Sequence, residues 1–144
     1  MYVKQISVFI ENTKGKLADF TKLLSDHNID LVSLSIADTT SFGILRGIVS
    51  DYEQTVKIIE EAGYTACLTD VLVVAVPDVP GGLAKVLSYL SEADIAVEYL
   101  YSFVRQKGGN ALIVCRVEEI EKAHQVLTAH QIKTLAQEDI CRLA

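Results

Sequence analysis

The runs Gly15-Lys16-Leu17-Ala18 and Gly81-Gly82-Leu83-Ala84 match each other at an offset of 66 in the numbering and decide the fold. In both runs a glycine-containing turn comes first, and apolar residues then recur at the spacing of an amphipathic helix. The matching apolar pairs are Leu17/Leu83, Phe20/Val86 and Leu24/Leu90. The chain therefore contains one segment twice. A repeat of roughly 70 residues is too long for a solenoid unit and indicates a duplicated small domain.

Each copy predicts the element order β-α-β-β-α-β. In the first copy the strands are expected at residues 4–10, 29–38, 42–50 and 64–69, and the helices at 17–27 and from 50 to about 62. In the second copy the strands are expected at 71–76, 95–105, 110–117 and 132–136, and the helices at 83–93 and 119–130. This order predicts an α+β fold with a ferredoxin-like βαββαβ unit repeated twice. Each unit should form an antiparallel four-stranded sheet with two helices on one face. The predicted domains are residues 1–70 and 71–144.

Several local signals refine this prediction. Ser50 and Glu53 have the spacing of a capping box, and Gly63 is a typical residue to end the helix that follows. Late in the chain the offset becomes 68, which places a two-residue insertion in the turn at residues 106–109. Thr69-Asp70 separates the last strand of one copy from the first strand of the next. The tail at residues 137–144 is compatible with a strand or a helix.

The composition is that of a small acidic globular protein. The 144 residues are 50% hydrophobic and carry a net charge of −6, which does not favour binding to nucleic-acid phosphates. No apolar run approaches the roughly 20 residues of a membrane span, and no signal peptide is visible. We therefore expect a cytoplasmic protein with neither nucleic acid nor membrane as a partner. The odd number of widely spaced cysteines (Cys67, Cys115 and Cys141) indicates reduced thiols.

No pattern of residues specifies a catalytic reaction. The three histidines, His27, His124 and His130, do not share a helix face or a metal-ligand spacing. Neither a nucleophile elbow nor a phosphate-binding loop is present. Lone cysteines such as Cys115 are more often buried small apolar residues than nucleophiles. The sequence therefore predicts a protein that is not an enzyme and has no metal or other cofactor.

The loops before the first helix of each copy are the candidate ligand site. Each has a short polar residue, a glycine turn and a helix start with exposed backbone N–H groups, which attract a carboxylate. The Asx residue can accept from an ammonium group, so the loop suits a free α-amino acid. An ordinary helix start has the same features, and that alternative stays open. The residues are Asn12, Thr13, Lys14, Gly15, Lys16 and Leu17 in the first loop, and Asp78, Val79, Pro80, Gly81, Gly82 and Leu83 in the second.

With these loops, the chain resembles a pair of ACT domains, the regulatory modules of amino-acid-metabolism enzymes. The resemblance lies in Glu11-Asn12-Thr13-Lys14-Gly15-Lys16-Leu17 with Asn28-Ile29, and in Pro77-Asp78-Val79-Pro80-Gly81-Gly82-Leu83 with Asp94-Ile95. It covers essentially the whole chain. It implies a stand-alone regulator that binds an amino acid at an interface between ACT domains, forms a homodimer and acts on a partner enzyme of amino-acid metabolism. The alternative is a structural module without a ligand that dimerises and regulates a partner enzyme.

The two copies differ from the family pattern in opposite places. The polar position that opens the second strand is Asp30 in the first copy but Ala96 in the second, whereas the first loop has Lys14 where the pattern has proline. The resemblance therefore implies one dominant composite site that uses Asn12 and Asp30 with the backbone of residues 13–17, walled by the other copy. The loop around Asp78 would be a second or vestigial site.

An aromatic stripe marks the second strand of the second copy. Alternation places Val97, Tyr99, Tyr101 and Phe103 on one face of that strand. Tyr99, Tyr101 and Phe103 are predicted to form an interface by packing against a sheet or a second copy. The alternative is that Tyr99 or Tyr101 forms part of the wall of the ligand site.

Overall fold

The structure is a computed structural model that describes residues 2–38, 42–107 and 109–143. It divides into two compact units. The first unit holds the described residues among 4–69 together with 140–143, and the second holds residues 2–3 and the described residues among 70–139. Both units have the βαββαβ order, and the predicted α+β, ferredoxin-like fold class is confirmed. Gly108, in the turn that the change of offset assigns to an insertion, lies outside the described residues.

The described residues form twelve elements, in which two predicted strands are joined as one and a helix follows the last strand. The first copy contains β1 (Val3–Glu11), α1 (Lys16–Asp26), β2 (Leu31–Asp38), β3 (Phe42–Val49) and α2 (Tyr52–Glu61). A long strand follows, β4 (Thr65–Pro77). The second copy then contains α3 (Gly82–Glu92), β5 (Val97–Lys107), β6 (Asn110–Val117), α4 (Ile120–Ala129), β7 (Thr134–Leu135) and α5 (Gln137–Leu143).

Both units have the strand order expected of the fold. In the first unit the order is β2-β3-β1-β4, and β3 pairs antiparallel with both β1 and β2. In the second unit the order is β7-β4-β6-β5, and these neighbours also pair antiparallel. Strand β4 contributes residues 65–69 to the first unit and residues 70–77 to the second.

Each sheet is covered on one face by its two long helices. In the first unit Phe20 and Leu24 of α1 join Ile58 and Ile59 of α2 in a core on the face of the sheet that carries Val8. The aromatic rings of Phe20 and Tyr64 also meet edge to face, with 5.3 Å between their centroids. The second core repeats this arrangement with Val86 and Leu90 of α3, Ala123 and Leu127 of α4, and Leu72, Val74 and Val76 of β4.

The helix C-termini repeat the duplication at the level of the backbone. Asn28 (φ 56°) ends α1 in the left-handed region, and its counterpart Asp94 (φ 59°) does so after α3. Asn and Asp are among the few residues other than glycine that enter this region readily. At the ends of α2 and α4 the left-handed residues are Gly63 (φ 91°) and Gln131 (φ 60°). The predicted role of Gly63 is therefore confirmed.

Two predicted boundaries were wrong. The break expected at Thr69-Asp70 does not occur, because β4 runs without interruption from Thr65 to Pro77. Neither residue is a glycine or a proline, and apolar extended sequence flanks them on the C-terminal side, so nothing forces a turn. The second strands begin at Leu31 and Val97 instead of residues 29 and 95, because the N–H groups of residues 29 and 95 donate back to helix carbonyls at 2.9 Å.

The predicted capping box at Ser50 was also wrong. The N-cap of α2 is Asp51, whose extended backbone (φ −142°) lets its side chain accept the N–H of Gln54 at 3.0 Å. The Ser50 hydroxyl instead accepts the N–H of Asp30 at 3.0 Å. Serine and aspartate are both good N-cap residues, so the sequence alone does not show whether Ser50 or Asp51 caps the helix.

A β-bulge changes the predicted face of Val97. Val97 pairs with Val117, but Tyr99 pairs with Arg116, so strand β5 has an extra residue at this point. A bulge reverses the alternation of side chains. Val97 therefore packs with the core beneath the helices, and the prediction that it shares a face with Tyr99 was wrong.

The C-terminal tail forms a helix, α5, which decides between the two alternatives that the sequence allows. Its Ile140 side chain is 0% exposed and belongs to the first unit. In the same unit the Cys141 Sγ lies 3.8 Å from the carbonyl oxygen of Ser50. Across the described ranges, no helix combines the length and the apolar character needed to cross a membrane.

Candidate functional site

The two glycine loops are held by the same three backbone hydrogen bonds. In the first loop the donors are the N–H groups of Thr13, Lys16 and Asp19, and the acceptors are Glu11, Thr13 and Gly15, at 2.8, 3.3 and 2.9 Å. In the second loop the donors are Val79, Gly82 and Lys85, and the acceptors are Pro77, Val79 and Gly81, at 2.9, 3.0 and 3.0 Å. Every donor and acceptor is displaced by the same offset of 66, so the two loops share one hydrogen-bond pattern.

A left-handed glycine precedes each helix. Gly15 (φ 88°) and Gly81 (φ 86°) are the N-caps of α1 and α3, and neither helix start has a side-chain cap. The first N–H groups of a helix carry partial positive charge and have no partner within the helix. An anionic group such as a carboxylate is therefore favoured at these positions.

A pocket lies beside the first loop, inside the first unit. Its volume is about 100 Å³. Glu11, Asn12 and Thr13 form its polar side. Its remaining lining residues are Ile10, Leu17, Ile36, Gly43 and Leu45. The pocket thus combines a few hydrogen-bonding residues with apolar ones, which is the usual composition of a small-molecule site.

Asp30 does not join this pocket. Glu11, next to Asn12, pairs with Phe42 at the start of β3, whereas Leu31, next to Asp30, pairs with Val49 at its end. At about 3.3 Å per residue these positions lie on the order of 20 Å apart along the sheet. Within this unit the structure therefore does not bring Asp30 and Asn12 to one ligand.

The other predicted residues of the first loop are distributed around it. Leu17 lines the pocket, and its side chain is 41% exposed. Lys16 instead lines a separate groove of about 330 Å³ with Phe9, Phe42 and Tyr64. Lys14 and Gly15 lie on the exposed outer side of the turn.

The second loop borders a different groove, of about 350 Å³. Of the predicted residues, Val79, Pro80, Gly81 and Gly82 line it. The groove also contains the parallel rings of Tyr89 and His130, whose centroids are 3.8 Å apart. Asp78 and Leu83 do not line this groove. Leu83 packs against the core of its unit, and the Asp78 N–H donates to the carbonyl oxygen of Gly109 at 3.3 Å.

Ile36, Gly43 and Leu45 are pocket residues that the sequence did not indicate. They enter the site because β2 and β3 pair so that Ile36 faces Leu45 and Gly43 faces Ile10. Strand register is not visible in a single sequence. The one available signal was a glycine inside an apolar strand, which often marks a close approach of a ligand or of another part of the chain.

The predicted aromatic interface is partly buried within the chain. Tyr101 and Phe103 are 9% and 7% exposed, and Tyr99 is intermediate. Whether they form an interface or a ligand wall stays a prediction.

Two of the histidines make local hydrogen bonds to their own helices. His27 Nδ1 donates to the carbonyl oxygen of Leu23, and His130 Nδ1 to that of Val126, both at 2.9 Å. Burial lowers the pKa of His124. Among the described residues no group of three His, Cys, Asp or Glu side chains could hold a metal ion.

The three cysteines differ in environment. Cys115 is buried as expected of a small apolar residue, and burial raises its pKa to about 11. Cys67 and Cys141 are exposed, so the expectation of burial was wrong for these two. All three thiols are free in the structure.

The loops, the repeated unit and the pocket define a pair of ACT domains. A family model described as an ACT domain pair matches residues 1–144, and the chain belongs to this family. Its fold is similar to that of protein BT0572 from Bacteroides thetaiotaomicron, with a TM-score of 0.92 and 39% identity over 99% of this chain and 97% of that one. No curated protein matches the sequence.

More distant structures share the fold. The regulatory subunit of aspartate kinase from Thermus thermophilus has a TM-score of 0.63 and 18% identity over 89% of this chain and 91% of that one. The corresponding subunit from Thermus flavus has a TM-score of 0.59 and 15% identity over 88% and 90%. At this identity the similarity concerns architecture alone.

Proposed function

We propose that this ACT domain pair is a stand-alone regulator that binds a free amino acid in the pocket beside the first loop. The observation that carries the proposal is the meeting of Asn12 and Thr13 with an apolar wall at the start of α1. We also propose that residues 1–70 and 71–144 are the two duplicated ACT domains.

The chemistry of the pocket suits both charged groups of an α-amino acid. The carboxylate would accept from backbone N–H groups in the first turn of α1, where the helix dipole favours a negative charge. The ammonium group would donate to the side-chain oxygens of Glu11 and Asn12, two residues that line the pocket. Hydrogen bonds between charged partners are the strong ones in proteins.

Regulation would follow from a difference in affinity between two states of the protein. A ligand shifts an equilibrium only as far as it binds one state better than the other. We propose that the responding state acts on a partner enzyme of amino-acid metabolism and that the protein works in the cytoplasm as a homodimer without catalysing a reaction. The regulatory part of this proposal has a parallel in the regulatory subunits of aspartate kinase, whose architecture is similar.

A thermal-shift screen of the twenty amino acids tests the proposed function. A ligand at 100 times its Kd stabilises the folded state by about 2.7 kcal/mol, which raises the melting temperature by several degrees. No shift from any of the twenty at millimolar concentration would eliminate the amino-acid sensor.

Two variants locate the site. Asn12→Ala should reduce the shift, because it removes a side chain that lines the pocket. Asp78→Ala is the matched control, since it truncates the Asx residue of the second loop, which lies outside the lining of this pocket. Equal loss of binding in both variants would contradict the assignment to the first loop. Asp30→Ala should leave binding in place, because Asp30 lies at the other end of its unit.

A second candidate function is that of an interaction module without a ligand. Exposed apolar side chains on the edge strand β2 favour it, because Leu34 and Ile36 are 40% and 44% exposed. Apolar residues grouped in this way are typical of protein interfaces. A dimer in analytical ultracentrifugation that Leu34→Lys dissociates, combined with a flat amino-acid screen, would favour this function over the sensor.

A further inference from the structure

We propose that the pocket beside the first loop selects a free amino acid with a short aliphatic side chain, valine being the best match. This inference rests on the proposed function and adds the class of ligand.

The lining of the pocket carries the inference. Beside Glu11, Asn12 and Thr13, the pocket is lined by the apolar residues Ile10, Leu17, Ile36 and Leu45. Ile36 and Leu17 are 44% and 41% exposed, so both have apolar surface that a ligand can cover. Covering such surface is favourable only for an apolar group.

Gly43 makes the space for this group. A Cβ added at Gly43 would lie 3.3 Å from Ile36 Cγ2, so even one methyl group at this position would reduce the space in the pocket. In the second copy the equivalent strand position carries a side chain. Gly43 pairs with Ile10, and at the later offset of 68 Ala111 pairs with Val76. The fold therefore tolerates alanine here, and the glycine of the first copy is not a requirement of the sheet.

The size of the pocket limits the side chain. Its volume is about 100 Å³, which is small beside the roughly 300–1,000 Å³ of pockets for drug-sized ligands. This small space favours a short branched aliphatic side chain over an aromatic ring.

Valine and threonine provide the decisive comparison because they have nearly the same shape. A hydroxyl group placed against the apolar wall would lose its hydrogen bonds to water without replacement. We expect isothermal titration calorimetry on the whole chain to give a Kd for L-valine at least about tenfold lower than for L-threonine. L-Phenylalanine and L-aspartate should bind more weakly than either.

Gly43→Ala tests the location. We expect this variant to weaken valine binding about tenfold while circular dichroism shows the native fold. Ala111→Gly, the reverse exchange at the matching position of the second unit, should leave the affinity within about twofold. The valine–threonine comparison on the unaltered chain decides the ligand class even if the variant does not fold.

The remaining outcomes distinguish the ligand class, the pocket and the proposed function from one another. Threonine, a charged amino acid or an aromatic one binding as tightly as valine would overturn this inference and leave the proposed function standing. Valine binding that Gly43→Ala does not weaken would overturn the assignment to this pocket. No binding by any of the twenty amino acids would overturn both the inference and the proposed function.

Discussion

Replacing Gly82 by alanine introduces a clash that the structure defines closely. A Cβ at this position would lie 2.1 Å from the carbonyl oxygen of Pro77 and 3.1 Å from its carbonyl carbon. Close carbon–oxygen contacts in proteins are about 3.3–3.6 Å, so the carbonyl group would have to retreat by about 1.2 Å. That carbonyl also accepts the N–H of Val79 at 2.9 Å, a bond that holds the second loop.

The cost follows from these contacts. Overpacking of this kind costs about 1–3 kcal/mol, and a weakened hydrogen bond adds about 1 kcal/mol. The higher helix propensity of alanine offsets up to about 1 kcal/mol of this destabilisation. We therefore expect Gly82→Ala to destabilise the protein by about 2 kcal/mol, which lowers the melting temperature by about 4–8 °C.

Thermal denaturation followed by circular dichroism measures this effect, and the duplication supplies the control. Lys16 occupies the equivalent position of the first loop and is exposed. Lys16→Ala therefore puts the same side chain in the same place of the other copy, and we expect a change within about 0.5 kcal/mol. A Gly82→Ala protein as stable as the unaltered one would refute the argument from the Pro77 carbonyl.

Four further predictions concern stability and thiol chemistry. Asp51→Ala should cost about 1 kcal/mol in urea denaturation, because it removes the cap of α2, and no loss would contradict that cap. Ile140→Ala should cost about 2–5 kcal/mol, because its side chain is fully buried, and a loss below about 1 kcal/mol would contradict this burial. Ellman's reagent should titrate two thiols in the native protein and the third, Cys115, only after unfolding, because burial raises its pKa to about 11. Rapid reaction of all three thiols in the native protein would refute this prediction. Because burial lowers the pKa of His124, the folded state binds this proton less readily than the unfolded state, and stability falls as the pH drops below the ordinary value of 6.5. His124→Gln should make the melting temperature less sensitive to pH between about 8 and 5, and an unchanged slope would contradict the assignment.

The sequence predicted those features of the backbone that depend on local sequence patterns. The offset of 66 reappears in the φ angles of Asn28 and Asp94 and in the hydrogen bonds of both glycine loops. These features depend on a few consecutive residues, so a repeat in the sequence becomes a repeat in the backbone. The strand break expected at Thr69-Asp70 was wrong for a related reason, because no local signal in the sequence required a turn there.

The site was harder to predict because it depends on strand pairing. Ile36 and Gly43 reach the first loop through the register of β2, β3 and β1, which composition does not determine. The position of Asp30 could have been anticipated from topology. A βαβ crossover joins parallel strands, so the end of β1 and the start of β2 lie at opposite ends of the sheet.

The two ends of the chain make the copies depend on each other. A fragment that stopped at residue 69 would lack Ile140, a buried residue of the first unit, and a fragment that began at residue 70 would lack Tyr2, which packs against the second core. Neither residues 1–69 nor residues 70–144 would therefore contain all the packing residues of one unit. Two such fragments are better suited to a split-protein pair than to independent folding, and a substitution in α5 affects the first unit.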